Sequence, residues 1–324
     1  MKSITRKMMN PEVRSAGVLV RALLPFFKVS TFEKCNRGLK GMKGKGIKGI
    51  RYEQLFIPRE TGGSLRLCVY RPLEQKEAKP GVLWMHGGGY ALGIPEQDAG
   101  FIGNFVNQYG CTVVAPDYTL SVEKPYPAAL MDCYSALLWM RDHAKEYFIR
   151  DDQLFVGGDS AGGGLTAALT IYARDMGEAA IAYQMPLYPM LDDRMTTESS
   201  RNNDAPVWNT KSNVNGWKLY LGEMYGRNDV PAYAAPARLN DYHGLPPAFT
   251  FVGSIEPFRD ETVAYMEQLK AAGVSAEYKV FDGCYHAFDL LASKSTPAKE
   301  ARAMLMRSFG YAIMHHYAEQ PDRK

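Results

Sequence analysis

The chain has 324 residues, a formal net charge of +3, 46% hydrophobic residues and 23% charged residues. This length and apolar content suffice for a large buried core, and they exclude a chain that is disordered throughout. The small net charge, without a long block of Lys and Arg, makes nucleic acid a poor partner and favours a small-molecule substrate.

The N-terminal segment from residue 15 to residue 27 is apolar, but Arg21 interrupts it. No small-residue cleavage site follows, and the run is too short to span a membrane. We therefore expect an amphipathic helix over the mouth of an active site, and no membrane insertion. The five cysteines form no CxxC pair, which favours a reducing, cytoplasmic compartment over a disulfide framework.

Short β-type runs alternate with helical segments from residue 50 onward. The runs predicted as strands are 50–57, 65–70, 82–85, 112–115, 154–156, 182–187, 248–252 and 277–281. Apolar spacing of about 3.6 residues predicts helices at 128–147, 165–176, 262–272 and 299–316. These repeats indicate a mainly parallel sheet covered on both faces, with the first two strands as an antiparallel edge hairpin.

The stretch from residue 192 to residue 244 breaks this alternation and is rich in Asn, Asp, Gly and aromatic residues. An insertion of this length between strands usually carries function. We predict that residues 1–49 and 192–244 form a cap, and that residues 50–191 and 245–324 form the catalytic core. The aromatic residues of the insertion either line an acyl pocket or, as is commoner, pack the cap: Trp208, Trp217, Tyr220 and Tyr225.

The sequence Gly158-Asp-Ser160-Ala-Gly162 directly follows a predicted strand and directly precedes an Ala- and Leu-rich helix. A serine on so sharp a turn needs small neighbours, which Gly158 and Gly162 provide. The alternative is a glycine-rich turn with an incidental serine, but the strand and helix on either side argue against it. The pattern predicts a nucleophile elbow with Ser160 as the nucleophile.

A second glycine-rich loop, His86-Gly87-Gly88-Gly89, ends an earlier predicted strand. Acyl transfer builds negative charge on the carbonyl oxygen, which main-chain N–H groups stabilise when no side chain obstructs them. We predict an oxyanion hole formed by Gly87, Gly88 and Ala161, the residue after the nucleophile. His86 precedes the nucleophile, whereas the base follows it in hydrolases with this elbow, so His86 is expected to brace the loop.

Only one histidine, His286, follows a predicted strand in the required order, on a loop opened by Asp282 and Gly283. Such a loop lies at the carboxyl end of a strand, where open α/β sheets carry out their ligand chemistry. We therefore predict His286 as the general base.

Several carboxylates qualify as the acid partner. Pro257 is suited to the first position of a helix, which places Glu256 at the N-cap, where Glu is not favoured for structural reasons. Asp260 falls in the first helical turn, where the helix dipole alone accounts for it. Glu256 is the predicted acid, with Asp260 and Asp282 as alternatives.

Together these residues resemble the hormone-sensitive lipase-like family of esterases. The shared motifs lie within roughly residues 65–290 and are His86-Gly-Gly-Gly89 with Gly93, Asp117-Tyr-Thr-Leu120, and Gly158-Asp-Ser-Ala-Gly-Gly163. The resemblance implies an α/β-hydrolase fold with an eight-stranded sheet and a helical cap, and activity on short acyl esters. The family usually has Asp-Pro-Leu where this chain has Glu256-Pro257-Phe258, so the acid is carried over with a changed side chain.

The sequence therefore predicts a serine carboxylesterase that cleaves short-chain acyl esters through an acyl-enzyme intermediate. The alternatives are an amidase or peptidase on the same triad, and a non-hydrolysing small-ligand receptor of the same fold. No cofactor is expected, because residues 44–49 match G-x-G-x-x-G but follow no predicted strand and open no helix. No metal is expected either, because the sequence shows no constellation of metal-binding residues. The expected partner is a small-molecule ester, and a homodimer is left open.

Overall fold

A computed structural model describes residues 3–24, 26–59 and 62–322, so Met1, Lys2 and Pro25 of the predicted cap lie outside the described residues. Its centre is one eight-stranded sheet with the strand order β1-β2-β4-β3-β5-β6-β7-β8. The strands are β1 (Ile50–Pro58), β2 (Ser64–Pro72), β3 (Lys79–Met85), β4 (Thr112–Pro116), β5 (Ile149–Asp159), β6 (Tyr183–Leu187), β7 (Ala248–Gly253) and β8 (Ala276–Phe281). The predicted fold class is confirmed.

The pairing of the strands brings four loops to one edge of the sheet. β1 and β2 form the expected antiparallel hairpin, β2 pairs antiparallel with β4, and the other neighbours are parallel. The carboxyl ends of β3, β5, β7 and β8 therefore point the same way. They lead to the glycine loop, the serine turn, Glu256 and His286, respectively.

Helices cover both faces of the sheet. They are α1 (Pro11–Leu23), α2 (Val29–Leu39), α3 (Ala99–Tyr109), α4 (Ala128–Asp142), α5 (Ala161–Met176), α6 (Thr210–Leu221), α7 (Arg259–Ala271), α8 (Phe288–Leu291) and α9 (Thr296–His315). The four helices predicted for the core correspond to α4, α5, α7 and α9, whereas α3 was not predicted. Alternate strand residues serve opposite faces: Leu83 packs in the cluster with α4 and α5, and Val82 in the cluster with α3 and α9.

The start of α7 corrects one expectation. The helix begins at Arg259, so Pro257 does not occupy its first position and Glu256 is not its N-cap. The reason is local, because the Glu256 carboxylate accepts a hydrogen bond from the N–H of Gly253 at 2.8 Å. This bond closes a turn that ends before the helix and leaves Glu256 in the loop.

The N-terminal segment and the insertion are bonded to each other. The N–H of Phe27 donates to Oγ of Ser212 at 2.9 Å, and the Asn215 amide donates to the Phe27 carbonyl at 2.7 Å. The N–H of Ile4 donates to the Asp204 carboxylate at 2.6 Å. These contacts support the interpretation of the two segments as parts of one cap.

Candidate active site

Ser160 lies at the turn between β5 and α5 with φ 56° and ψ −117°. A non-glycine residue rarely adopts a positive φ, and such strain is characteristic of functional sites. A Cβ on Gly158 or Gly162 would collide with the main-chain carbonyl of Met85 on the neighbouring strand. The two glycines are therefore required by close backbone contact, as the elbow pattern predicts.

Three side chains form a continuous hydrogen-bonded chain at this turn. Oγ of Ser160 lies 2.8 Å from Nε2 of His286, and Nδ1 of His286 lies 2.5 Å from the Glu256 carboxylate. The second Glu256 oxygen is the one that accepts from Gly253. Glu256 has no exposed surface, and His286 and Ser160 are 3% and 5% exposed. The geometry suits removal of the serine proton by the imidazole.

The two alternative acids have other partners. The Asp260 carboxylate accepts from the N–H of Ser199 at 2.8 Å and from the Arg259 guanidinium at 2.7 Å. The Asp282 carboxylate accepts from the Ser254 hydroxyl at 3.2 Å, in an exposed position. Both carboxylates therefore hold loops around the site in place.

The loop that carries His286 is held from two sides. A Cβ on Gly253 would collide with the carbonyl of Cys284, so the end of β7 packs directly under this loop. From above, the Tyr285 hydroxyl donates to the Val13 carbonyl of α1 at 3.0 Å, and a Cβ on Gly17 would lie 2.5 Å from the Tyr285 ring. The N-terminal helix therefore packs against the residue next to His286.

The glycine loop presents two main-chain N–H groups that have no hydrogen-bond acceptor among the described residues. They belong to Gly88, with φ 129°, and Gly89, with φ 60°, both conformations that favour glycine. Ala161 is the first residue of α5, so its N–H also lacks an intrahelical partner. These three groups are available to an oxyanion.

Gly87, which the sequence analysis placed among the oxyanion donors, is engaged elsewhere. Its N–H hydrogen-bonds to the carboxyl of Asp159, the residue before the nucleophile. One N–H cannot serve this carboxyl and an oxyanion at the same time, which makes the N–H of Gly89 a further candidate donor beside those of Gly88 and Ala161. The sequence signal was present, because three consecutive glycines offered a third donor.

His86 lies within the same loop and is fully buried. Its Nδ1 is 2.9 Å from the Gly87 carbonyl, and its ring stacks on Tyr118 at a centroid distance of 4.2 Å. Burial lowers the pKa of His86 to about 4. The neutral ring therefore packs and orients the loop, consistent with the bracing role expected for it.

Three buried carboxyl groups lie behind the serine turn: Asp98, Asp159 and Asp289. Asp98 and Asp159 hydrogen-bond to each other, and Asp98 also accepts from the Trp84 indole at 2.8 Å. Burial, together with the neighbouring charge, raises the pKa of both. Burial, followed by the Asp159 charge, raises the pKa of Asp289 to about 7. The group therefore retains protons to higher pH than exposed carboxyls do.

Asp289 gives a prediction for stability against pH. Its carboxyl ionises near pH 4 in the unfolded chain and at about pH 7 in the folded one, so the folded state holds more protons between these values. The free energy of unfolding therefore falls as pH rises through this window, and Asp289→Asn removes the contribution of this carboxyl, while those of Asp98 and Asp159 remain. In urea unfolding, the free energy of unfolding of wild type should fall by about 2 to 3 kcal/mol more than that of Asp289→Asn between pH 5 and pH 7.5.

The exposed Asp151 provides the control for this experiment. Asp151→Asn should keep the pH dependence of wild type, because this substitution leaves the buried Asp289 carboxyl unchanged. Parallel pH profiles for wild type and Asp289→Asn would contradict the prediction.

Three further expectations concern a dinucleotide site, a metal site and membrane insertion. Residues 44–49 lead into β1 at Ile50 instead of opening a helix, so the glycine pattern there lacks the context of a dinucleotide site. Across the described ranges, no group of three or more His, Cys, Asp or Glu side chains is arranged to hold a metal ion. None of the described helices has both the length and the apolar character needed to cross a bilayer.

A sequence-family profile described as the alpha/beta hydrolase fold matches residues 82–290. The matched region contains the glycine loop, the serine turn, Glu256 and His286.

Two known proteins with similar sequences are esterases by name. Esterase LipI of Mycobacterium tuberculosis is 35% identical over 251 residues, which cover 72% of this chain and 78% of LipI. Carboxylesterase NlhH of the same organism is 32% identical over 70% of this chain and 72% of NlhH.

Solved structures extend the likeness to nearly the whole chain. A bacterial heroin esterase has a TM-score of 0.88 at 31% identity and covers 95% of this chain and 98% of its own. A thermostable esterase from Pseudomonas putida has a TM-score of 0.83 at 27% identity and covers 96% of this chain and 98% of its own.

Proposed function

We propose that this chain hydrolyses short-chain carboxylic esters. The chain belongs to the α/β-hydrolase fold family and to its hormone-sensitive lipase-like group. The observation that carries the proposal is the hydrogen-bonded chain from Ser160 through His286 to Glu256. The similarity to proteins named esterases supports the substrate class.

In the proposed mechanism, Oγ of Ser160 attacks the ester carbonyl while Nε2 of His286 takes its proton. Glu256 keeps the proton of the ring on Nδ1 and stabilises the imidazolium that forms. The imidazolium then protonates the leaving alcohol, and the acyl group stays on Ser160. Water activated by the same imidazole releases the acid and restores the serine.

The negative charge on the carbonyl oxygen needs donors that are already in place. We assign this role to the main-chain N–H groups of Gly88, Gly89 and Ala161, which are free of other acceptors among the described residues. Gly87 instead joins the loop to the carboxyl of Asp159.

The substrate range follows from the cap. Ser160 is only 5% exposed. We attribute this cover to the cap, predicted as residues 1–49 and 192–244, whose sequence shows no long apolar trough. We predict higher kcat/KM for acetyl to hexanoyl esters than for long-chain esters, measured with a series of p-nitrophenyl esters. Comparable rates on dispersed long-chain triglycerides would contradict this prediction and favour a true lipase.

A panel of matched esters and amides tests the proposed function itself. The same triad can cleave amides, which are harder substrates, and a receptor of this fold would bind without turnover. Ester hydrolysis that exceeds amide hydrolysis of the same acyl group supports the esterase. Faster amide cleavage, or binding of both without turnover, would refute it.

The cellular compartment and the partners of the enzyme are also proposals. All five cysteines are free, a usage that favours a reducing, cytoplasmic compartment. The proposed partner is a small ester, and self-association as a homodimer stays open to measurement.

A further inference from the structure

Trp208, in the inserted segment, lies over the site between the glycine loop and the histidine. Its ring centroid is 6.4 Å from that of His286 and 6.4 Å from that of Phe258. A Cβ on Gly89 would collide with the far edge of the indole, so the ring packs flush against the proposed oxyanion loop. With only 3% of Trp208 exposed, the indole fills the space above the reacting groups.

The backbone before Trp208 is strained. Val207 has a φ of 70°, which is unusual for any residue other than glycine and a clear outlier for a β-branched one. The N–H of Trp208 donates to the Pro206 carbonyl at 2.9 Å and closes a three-residue turn of the rare positive-φ type. Such a conformation persists only where surrounding contacts over-determine it. The contacts of the indole ring are among those that hold this turn, together with the packing of Val207 against the core.

Both parts of the predicted cap fix the ring. Its Nε1 donates to Oδ1 of Asn213 on α6 at 3.2 Å. On its other side, the ring of Phe27 lies 5.6 Å away and the ring of Phe32 lies 6.3 Å away, centroid to centroid. The hydrogen bond at the indole nitrogen and the contacts with two phenyl rings hold the indole in one position beside the site.

The other aromatic residues of the insertion have different neighbours. Tyr220 stacks on Tyr90 at 3.8 Å, and Trp217 lies 5.7 Å from Tyr90 and 6.0 Å from Tyr220. The interpretation as cap packing therefore holds for these two, while Trp208 is the one that contacts the loop and the histidine.

We propose that Trp208 sets the upper limit on the length of the acyl group that the site accepts. This inference rests on the proposed function and deepens it. The carbonyl oxygen belongs to the acyl group, so the loop that binds this oxygen also adjoins the first carbons of the chain. A rigid ring against Gly89 leaves room for a short chain and blocks the path of a longer one.

The test compares kcat/KM for p-nitrophenyl acetate, butyrate, hexanoate, octanoate and decanoate in wild type, Trp208→Leu and Trp208→Phe. Since one methylene in an apolar pocket changes discrimination by about 10-fold or more, Trp208→Leu should raise the octanoate-to-acetate ratio by at least about 10-fold. Trp208→Phe removes less volume and should raise the ratio by at least about threefold. Trp139→Leu is the matched control. Trp139 lies on α4 and packs against His143 and Tyr147, which follow this helix, so the chain-length profile of Trp139→Leu should match that of wild type.

The outcomes separate this inference from the proposed function. Acetate hydrolysis by wild type that is lost in Ser160→Ala supports the esterase, and its absence refutes the function and this inference together. If wild type hydrolyses acetate but a folded Trp208→Leu or Trp208→Phe keeps the wild-type chain-length profile, the inference alone is overturned. Circular dichroism establishes folding, and Trp208→Phe decides the question if Trp208→Leu does not fold. A shifted profile in Trp139→Leu would also overturn the inference.

Discussion

Ser160→Ala is expected to fold normally and to lose nearly all ester hydrolysis, with a fall in kcat on the order of 10⁵-fold or more. The hydroxyl forms the covalent bond to the acyl group, so its removal leaves only the oxyanion donors and substrate binding to act on the ester. The substitution removes one hydroxyl, which donates its hydrogen bond to Nε2 of His286 and has no other hydrogen-bond partner among the described contacts. Circular dichroism and steady-state kinetics on p-nitrophenyl acetate check both parts.

Ser121→Ala provides the matched control. Ser121 is also buried, and its hydroxyl has no hydrogen-bond partner within the described chain, so its loss should leave kcat unchanged. A fluorophosphonate probe should label wild type and Ser121→Ala, with the label on Ser160, and should fail to label Ser160→Ala. Substantial turnover by a well-folded Ser160→Ala would refute the proposed mechanism.

The residues at the strand ends were predictable because sequence order and strand topology together determine their position. Ser160 follows β5, Glu256 follows β7 and His286 follows β8, and parallel strands bring these ends to one edge. The bounds of β5 were less predictable. The strand already begins at residue 149, before its predicted start at residue 154, and in this added part Arg150, Asp151 and Asp152 interrupt the apolar pattern that signals a strand.

The helix α3 was missed because its sequence gives a weak local signal. It contains Gly100, Gly103, Asn104 and Asn107, residues with low helix propensity. Packing stabilises it instead, since its apolar side is buried against the sheet and α9. Tertiary contacts of this kind cannot be inferred from local periodicity alone.

The choice of oxyanion donors could not be made from sequence either. Gly87, Gly88 and Gly89 are identical residues, and only their backbone angles determine where each N–H points. The hydrogen bond between Gly87 and Asp159 joins two motifs that lie far apart in the chain. Both motifs were recognised from sequence, but the contact between them required the fold.

Glu256→Gln is expected to lower kcat by roughly 10³ to 10⁴ with little change in KM. The Glu256 carboxylate accepts from two N–H groups, that of Gly253 at 2.8 Å and Nδ1 of His286 at 2.5 Å. A glutamine has one acceptor oxygen and one donor amide, so it cannot accept from both. If its oxygen stays with Gly253, the amide faces Nδ1 and the ring must carry its proton on Nε2. In this tautomer Nε2 cannot accept the Ser160 proton.

The controls distinguish this role from that of a buried structural carboxylate. Asp260→Asn and Asp282→Asn should stay within about tenfold of wild type, because these groups bond to neighbouring loops. Glu256→Asp keeps a carboxylate on a shorter chain and should recover at least about tenfold in kcat over Glu256→Gln, whereas a loss due to packing alone would be larger in the shorter residue. If Asp260→Asn or Asp282→Asn is the crippling change while Glu256→Gln changes the barrier by less than about 1.4 kcal/mol, Glu256 is not the triad acid.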